Sequence, residues 1–189
     1  MNPAYADLPL RIRPWIDKGI KNMRLFIAVL FSDDIKNELE DIQNKCREHG
    51  VKGAYIAKSN LHLTLAFIGE YGDPERVKQA IASVKFRPFP IHPEKMGAFR
   101  DLWWAGLSKS KELKNVAERL RQALENAGIP FDTKPFSPHI TLIRRAKSPD
   151  NSIPGELRYY TGKNEMTVSR ISLMRSDRKA SELVYTEIT

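Results

Sequence analysis

The sequence predicts an α+β protein with antiparallel strand pairing, and three features carry that prediction. Helix-period apolar stripes recur between short runs of strand-forming residues. The two kinds of segment do not alternate strictly, which argues against a parallel sheet wound by crossover helices. Finally, the two halves of the chain share a pattern, in which a helix stops at a glycine and a strand opening on histidine follows. At 189 residues and 41% hydrophobic side chains, the chain can bury a sizeable core.

Residues 1–22 carry Pro3, Pro9 and Pro14 and no clear period. They are expected to form an extension docked on the remainder, with at most a helical turn near Trp15 and Ile16. Residues 23–189 are expected to form one bilobal domain. Leu25 to Phe31 is a short run of strand formers. Ser32 can cap a helix whose first turn holds Asp33 and Asp34, favourable at the positive end of the helix dipole. Its apolar stripe is Ile35, Leu39, Ile42 and Cys46, and Gly50 supplies a left-handed stop. Asp73-Pro74 opens a second helix with Val77, Ala80, Ile81 and Val84 on one face. A third runs from about Ser110, with Leu113, Val116, Ala117, Leu120 and Leu124 inward, and ends near Gly128. Strands are expected at 54–58, 61–68, 89–98, 102–107, 139–144, 166–175 and 182–188. Segment 145–165, with Pro149, Asp150, Asn151, Pro154 and Gly155, reads as a mobile surface loop.

Composition narrows the function classes. The longest uniformly apolar run, Leu25 to Phe31, is far short of a bilayer span. Arg11, Arg13, Asp17 and Lys18 interrupt any signal-peptide core. The single cysteine, Cys46, precludes an internal disulfide and suits a reducing cytosol; on its apolar stripe it reads as an inert core thiol. A formal charge of +8 raises the local concentration of polyanions, although it equally serves solubility.

The chemistry concentrates in two tetrapeptides, His62-Leu63-Thr64-Leu65 and His139-Ile140-Thr141-Leu142. On a strand, residues two apart share a face, so each histidine projects with its threonine while the intervening residues turn to the core. Given 41% hydrophobic residues and seven threonines, a histidine is followed by apolar-Thr-apolar roughly 0.6% of the time by chance. Two such sites at matching places in two half-chains are therefore informative. Their glycine-to-histidine offsets are twelve and eleven residues.

Opening a cyclic phosphodiester requires a water to lose a proton and an in-line oxygen to gain one. Histidine holds either protonation state near neutrality, so two of them on opposite sides of one phosphorus supply base and acid without a metal. Threonine hydroxyls can donate to the non-bridging oxygens as charge builds there. Neither histidine lies in a metal-ligand spacing. His49, at a helix C-terminus, reads as a solvated cation, and His92, with no threonine after it, as non-catalytic. Phe67, Trp103, Trp104 and Phe136 could stack a terminal base, although most should be core and only one of the adjacent tryptophans can face a cleft.

These residues resemble the 2H phosphoesterase superfamily, in its RNA 2′,3′-cyclic phosphodiesterase branch, historically called 2′–5′ RNA ligase. The resemblance is carried by Met23-Arg24-Leu25-Phe26-Ile27-Ala28, by the stretch from Asn60 to Glu70, by Leu102-Trp103-Trp104-Ala105-Gly106, and by the stretch from Lys134 to Arg144. It covers about residues 23–188. It implies two pseudo-twofold-related lobes around a V-shaped cleft, and hydrolysis of cyclic RNA ends to 2′-phosphomonoesters, with reversal as ligation possible. It further implies His62 as proton donor to the departing 3′ oxygen, His139 as the acceptor that activates water, and Thr64 and Thr141 as phosphate ligands. Arg144 keeps the family's basic residue, yet strict alternation from His139 would point it away from the histidines. The expected partner is RNA with a 2′,3′-cyclic phosphate end or a related cyclic nucleotide. No cofactor, metal ion or membrane is called for, and a cytoplasmic monomer is expected. Two other readings stay open: a phosphodiesterase of small nucleotides, and a nucleic-acid-binding module without turnover.

Overall fold

The computed structural model describes residues 22–180 and 182–188. The expected extension, Asn22 apart, lies outside the described residues. The elements run β1 (Met23–Leu30), α1 (Asp33–Glu48), β2 (Lys52–Tyr55), a 3-10 turn (Lys58–Asn60), β3 (His62–Tyr71), α2 (Pro74–Ser83), β4 (Phe89–Ile91), β5 (Pro93–Phe99), β6 (Leu102–Leu107), α3 (Lys111–Asn126), β7 (Ile140–Lys147), α4 (Gly155–Arg158), β8 (Met166–Val168), β9 (Ser172–Lys179) and β10 (Glu182–Glu187).

Local chemistry accounts for the helix ends. Ser32, Asp73 and Ser110 each accept a hydrogen bond from the backbone N–H three residues on, capping α1, α2 and α3. Gly50 (φ 73°) and Gly128 (φ 62°) take the left-handed conformation just past α1 and α3, which glycine adopts without a Cβ penalty. The expected stripes are buried: Ile35, Leu39, Ile42 and Cys46 on α1, and Leu113, Val116, Ala117, Leu120 and Leu124 on α3. Each such large aliphatic side chain contributes about 1.5–3 kcal/mol on burial. Helix propensity differs between ordinary residues by at most about 0.7 kcal/mol, so packing holds these helices in place.

The strands form two four-stranded sheets, ordered β10-β9-β1-β3 and β2-β7-β6-β5, and a two-stranded β4-β8 ribbon. Every pairing is antiparallel. Each large sheet draws strands from both halves of the chain. The helices cross over likewise: α1, from the first half, packs on β7, and α3, from the second, packs on β3. The strand that bears each histidine is therefore backed by the helix of the other half. One contiguous apolar cluster runs through both lobes.

Three strand assignments need correction. Segment 89–98 is two strands in different sheets, β4 on β8 and β5 on β6. Segment 166–175 divides in the same way into β8 and β9. Strand 54–58 instead ends at Tyr55, and the 3-10 turn follows from Lys58. Segment 145–165 is more ordered than its turn-rich composition suggests. β7 runs on to Lys147, α4 occupies 155–158, and Glu38 of α1 gathers the chain beyond it. That carboxylate accepts from Lys163 N (2.7 Å), Asn164 N (2.9 Å) and the Tyr160 hydroxyl. Burial works to raise the Glu38 pKa, but the bonds from Tyr160, Lys163 and Asn164 outweigh it and hold the carboxyl below its ordinary value. No helix among the described residues is long and apolar enough to cross a membrane.

Candidate active site

A cleft of about 1000 Å³ opens where β3 meets β7, and His62, Thr64, His139, Thr141 and Arg144 all line it. All five residues singled out in the sequence thus come together from the two lobes.

The strands deliver them in matching ways. Along β3, Leu63 and Leu65 are buried beneath His62 and Thr64, and along β7, Ile140 and Leu142 lie beneath His139 and Thr141. Each imidazole is oriented by the main chain two residues earlier. His62 Nδ1 lies 2.7 Å from Asn60 O, and His139 Nδ1 lies 2.7 Å from Ser137 O. A carbonyl can only accept, so Nδ1 carries the proton in both rings and Nε2 is left for chemistry. Each ring also stands nearly perpendicular to an aromatic ring with centroids 5.2 Å apart, Tyr185 for His62 and Phe99 for His139.

Alternation fails in both strands at the same place. Opposite β1, Ala28 and Ile27 pair with Thr64 and Ala66, leaving Leu65 as an extra residue. Opposite β6, Trp104 and Trp103 pair with Thr141 and Ile143, leaving Leu142 extra. A bulge of this kind resets which face each later residue occupies. Leu65 and Ala66 are consequently both buried, as are Leu142 and Ile143, and the fifth residue after each histidine returns to the cleft. That residue is Phe67 in one strand and Arg144 in the other. Strict alternation, which would have turned Arg144 away, is overturned by this bulge. The carbonyl of Leu142 is satisfied within the core by Ile56 N (2.9 Å) and by the buried Gln43 Nε2 (2.9 Å) of α1.

Beyond these parallels the two sides differ. His62 Nε2 lies 3.0 Å from Thr64 Oγ1, whereas among the described residues His139 has only its Nδ1 hydrogen bond. Burial pushes His62 below the ordinary imidazole pKa; the Asn60 carbonyl opposes this, and the charges of Arg144 and His139 push it lower still. His62 therefore gives up its proton more readily than an ordinary imidazole.

The remaining rim is mixed in charge. Arg24, Arg175 and Arg178 join Arg144, against Glu70 and Asp177. Arg175 Nε is held by Asp177 Oδ2 at 2.7 Å, and the Arg24 guanidinium lies 5.0 Å from the centre of the Phe67 ring. Of the aromatic residues suggested for base stacking, Phe67 lines the cleft, while Trp103 is 5% exposed and belongs to the core. Trp104 lies across Gly97 next to Phe99, and Phe136 packs against the core.

The other candidates lie away from the paired motifs. Cys46 is fully buried, its thiol pushed up to about 11 by burial. His49 is exposed at the end of α1, 3.4 Å from Glu156. His92 sits between Glu94 (3.3 Å) and Glu165 (4.0 Å), outside the cleft. Among the described residues no group of three or more His, Cys, Asp or Glu side chains is placed to hold a metal ion.

Sequence reading overlooked Asn60, Phe26 and Tyr185 as parts of the site. Asn60 is two residues before a motif histidine, a position from which a carbonyl reaches Nδ1 in both lobes, so a signal was present. Tyr185 carried none, because its proximity to His62 arises from the course of the C-terminal hairpin.

Known proteins share this arrangement of chain and fold. The family model of the 2′-5′ RNA ligase superfamily matches residues 31–180. An RNA 2′,3′-cyclic phosphodiesterase of Archaeoglobus fulgidus is 30% identical over 176 residues, spanning 88% of this chain and 98% of that one. The RNA 2′,3′-cyclic phosphodiesterase of Thermus thermophilus is 32% identical over 181 residues, 87% of either chain. The crystal structure of Escherichia coli LigT in apo form aligns with a TM-score of 0.76 at 26% identity, covering 89% of this chain and 96% of that one. This chain belongs to the 2′-5′ RNA ligase superfamily.

Proposed function

We propose that the protein hydrolyses 2′,3′-cyclic phosphate ends of RNA to 2′-phosphomonoesters by two-histidine acid–base catalysis that needs no metal. The observation that carries this reading is the pair of imidazoles facing one cleft. Each has Nδ1 tied to a carbonyl, which leaves Nε2 as the atom for proton transfer, and each shares its strand face with a threonine, whose hydroxyl lies 3.0 Å from Nε2 in the case of His62. Relatives bearing the name RNA 2′,3′-cyclic phosphodiesterase support the substrate class. The formal charge of +8 and the arginines at the rim suit a polyanion.

In the reaction, water attacks phosphorus and gives its proton to Nε2 of His139. The P–O3′ bond breaks, and Nε2 of His62 delivers a proton to the departing O3′. The phosphate remains on O2′. Thr64, Thr141 and Arg144 donate to the non-bridging oxygens, where negative charge grows in the transition state. His62 must first acquire its proton. Burial, and then the charges of Arg144 and His139, disfavour this, and the negative charge of the bound phosphodiester works against them. The Thr64 hydroxyl lies 3.0 Å from His62 Nε2, within reach of a phosphate held there. Running the steps backwards joins a 2′-phosphate end to a 5′-hydroxyl.

The test is hydrolysis of an oligoribonucleotide with a 2′,3′-cyclic phosphate end in the presence of EDTA, with the product phosphate located on O2′ or O3′. A 2′-phosphate formed at an undiminished rate is expected. A 3′-phosphate would overturn the identity of the leaving oxygen, and loss of activity in EDTA would overturn the metal-free mechanism. Turnover of cyclic mononucleotides alone would favour a small-nucleotide substrate.

A further inference from the structure

We propose that strand β10 is the positioning element for His62, acting through the ring of Tyr185 and, by way of Asn60, through the carbonyl of Leu183. This rests on His62 being one of the two proton-transfer groups.

β10 is not a neighbour of β3 in the sheet, being separated from it by β9 and β1. It nevertheless meets the 3-10 turn that leads into β3. Two contacts made there converge on one imidazole. Asn60 Nδ2 donates to Leu183 O at 2.7 Å, while the main-chain oxygen of Asn60 accepts from His62 Nδ1 at 2.7 Å. One residue thus links the β10 backbone to the histidine's ring nitrogen. The second contact is aromatic. The rings of Phe26, Tyr185 and His62 form a closed triangle, with centroid separations of 4.8 Å for Phe26–His62, 5.2 Å for Tyr185–His62 and 5.0 Å for Phe26–Tyr185. Flipping the His62 ring by half a turn would put Cδ2 where Nδ1 lies, breaking the bond to Asn60, and any tilt of the ring meets Tyr185 or Phe26. A catalytic ring held on two sides in this way stays within the narrow tolerance that proton transfer demands.

The charged groups acting on His62 are Arg144 and His139; Tyr185, Phe26 and Asn60 are uncharged. Widening the triangle admits water to His62 without removing a charge from its surroundings. Its effect on His62 titration therefore comes through solvation and ring freedom alone.

The test uses Tyr185→Leu, which keeps most of the buried bulk, together with Tyr185→Phe and Asn60→Ala in the full chain. Imidazole signals of His62 and His139 are followed by NMR through a pH titration, and steady-state kinetics are measured on the cyclic-ended oligonucleotide. In Tyr185→Leu, His62 should titrate at higher pH than in wild type, with His139 unmoved. Its kcat should fall about tenfold or more with KM changed by less than about threefold. Asn60→Ala should lower kcat in the same way, but with His62 titrating no higher than in wild type, because the loosened carbonyl had favoured its proton; Tyr185→Phe should restore both titration and kcat. An unmoved His62 titration in a folded Tyr185→Leu protein would overturn the proposal. So would a rise in KM at constant kcat, which would make Tyr185 a substrate contact, or a Tyr185→Phe variant as impaired as Tyr185→Leu. The NMR titration needs no turnover, so it decides the positioning role even if the wild-type protein fails to hydrolyse cyclic RNA ends.

Discussion

His62 and His139 open the same motif on equivalent strands and finish in different surroundings. Both have Nδ1 tied to the carbonyl two residues back, both meet a perpendicular aromatic ring, and both precede a bulge. Yet His62 has the rings of Phe26 and Tyr185 at 4.8 and 5.2 Å and is bonded to Thr64, while His139 sits at the more open wall with Phe99 at 5.2 Å and Trp104 farther off at 6.4 Å. The residue each bulge returns to the cleft differs as well, an aromatic in one lobe and a cation in the other. A duplicated motif thus supplies two identical chemical groups in walls that differ, and burial in its own wall holds the proton affinity of His62 below the ordinary value.

The largest effect should come from removing either histidine. His62→Ala and His139→Ala are each expected to lower kcat/KM on a cyclic-ended oligonucleotide by at least about a hundredfold, the scale of one lost acid or base. Near-wild-type turnover in either variant would break the two-histidine reading.

Exchanging the residues after the bulges should separate the lobes more finely. Arg144→Ala removes a charge that faces the phosphate and should cost about ten- to a hundredfold in kcat/KM, the worth of a charge-assisted bond. Phe67→Ala should chiefly raise KM, by several-fold. Arg144→Ala should also shift the pH profile. His62 has its proton affinity lowered by burial and then by the charges of Arg144 and His139. If His62 is the acid, kcat/KM falls as pH rises through its free-enzyme pKa, which lies below the ordinary value of about 6.5. Losing the Arg144 charge raises that pKa, so the falling limb should move to higher pH. A limb that stays put would exclude His62 as its source.

A smaller effect is expected at Gln43, which supports the β7 bulge; among the described residues no side chain does so at the β3 bulge. Gln43→Leu leaves the Leu142 carbonyl with only Ile56 N and should lower unfolding free energy by about 1–2 kcal/mol in a denaturant titration. It should also reduce turnover, while adding little to the defect of Arg144→Ala, because both act through the same guanidinium.

The smallest effect is on stability against pH. The unfolded chain protonates His62 near pH 6.5, and the folded one resists until lower pH, so His62 contributes stability above about 6.5 that is lost as pH falls toward its folded value. His62→Gln should flatten that part of the stability profile, read by denaturant titration across pH.

Much of this was legible in the chain. The three helix caps, the buried stripes, the glycine stops and the pairing of histidine with threonine across a strand are all set by contacts within a few residues. The paired motifs also gave four residues of the cleft, and the family resemblance a fifth, Arg144. What was misread depended on partners distant in sequence. Nothing between 89 and 98 signals that its two ends belong to different sheets, because that depends on where β8 and β6 lie. The face on which Arg144 emerges depends on a bulge set by the pairing with β6 across the sheet, which Gln43, 99 residues away from Leu142, helps to hold. Segment 145–165 has the composition of a loose loop and is ordered by one carboxylate of α1.

The sequence by itself determined the α+β class, the helices with their ends, and the two imidazole–hydroxyl pairs, because these follow from side-chain period and from hydrogen bonds that close within a few residues. Only the tertiary structure decided that the two strands face one cleft, that each is backed by the other half's helix, and that Phe26, Tyr185 and Asn60 enclose His62. Those outcomes depend on burial and on contacts between segments far apart in the chain. The proton affinity of His62 follows from the same enclosure, since desolvation and neighbouring charge exist only once the chain has folded.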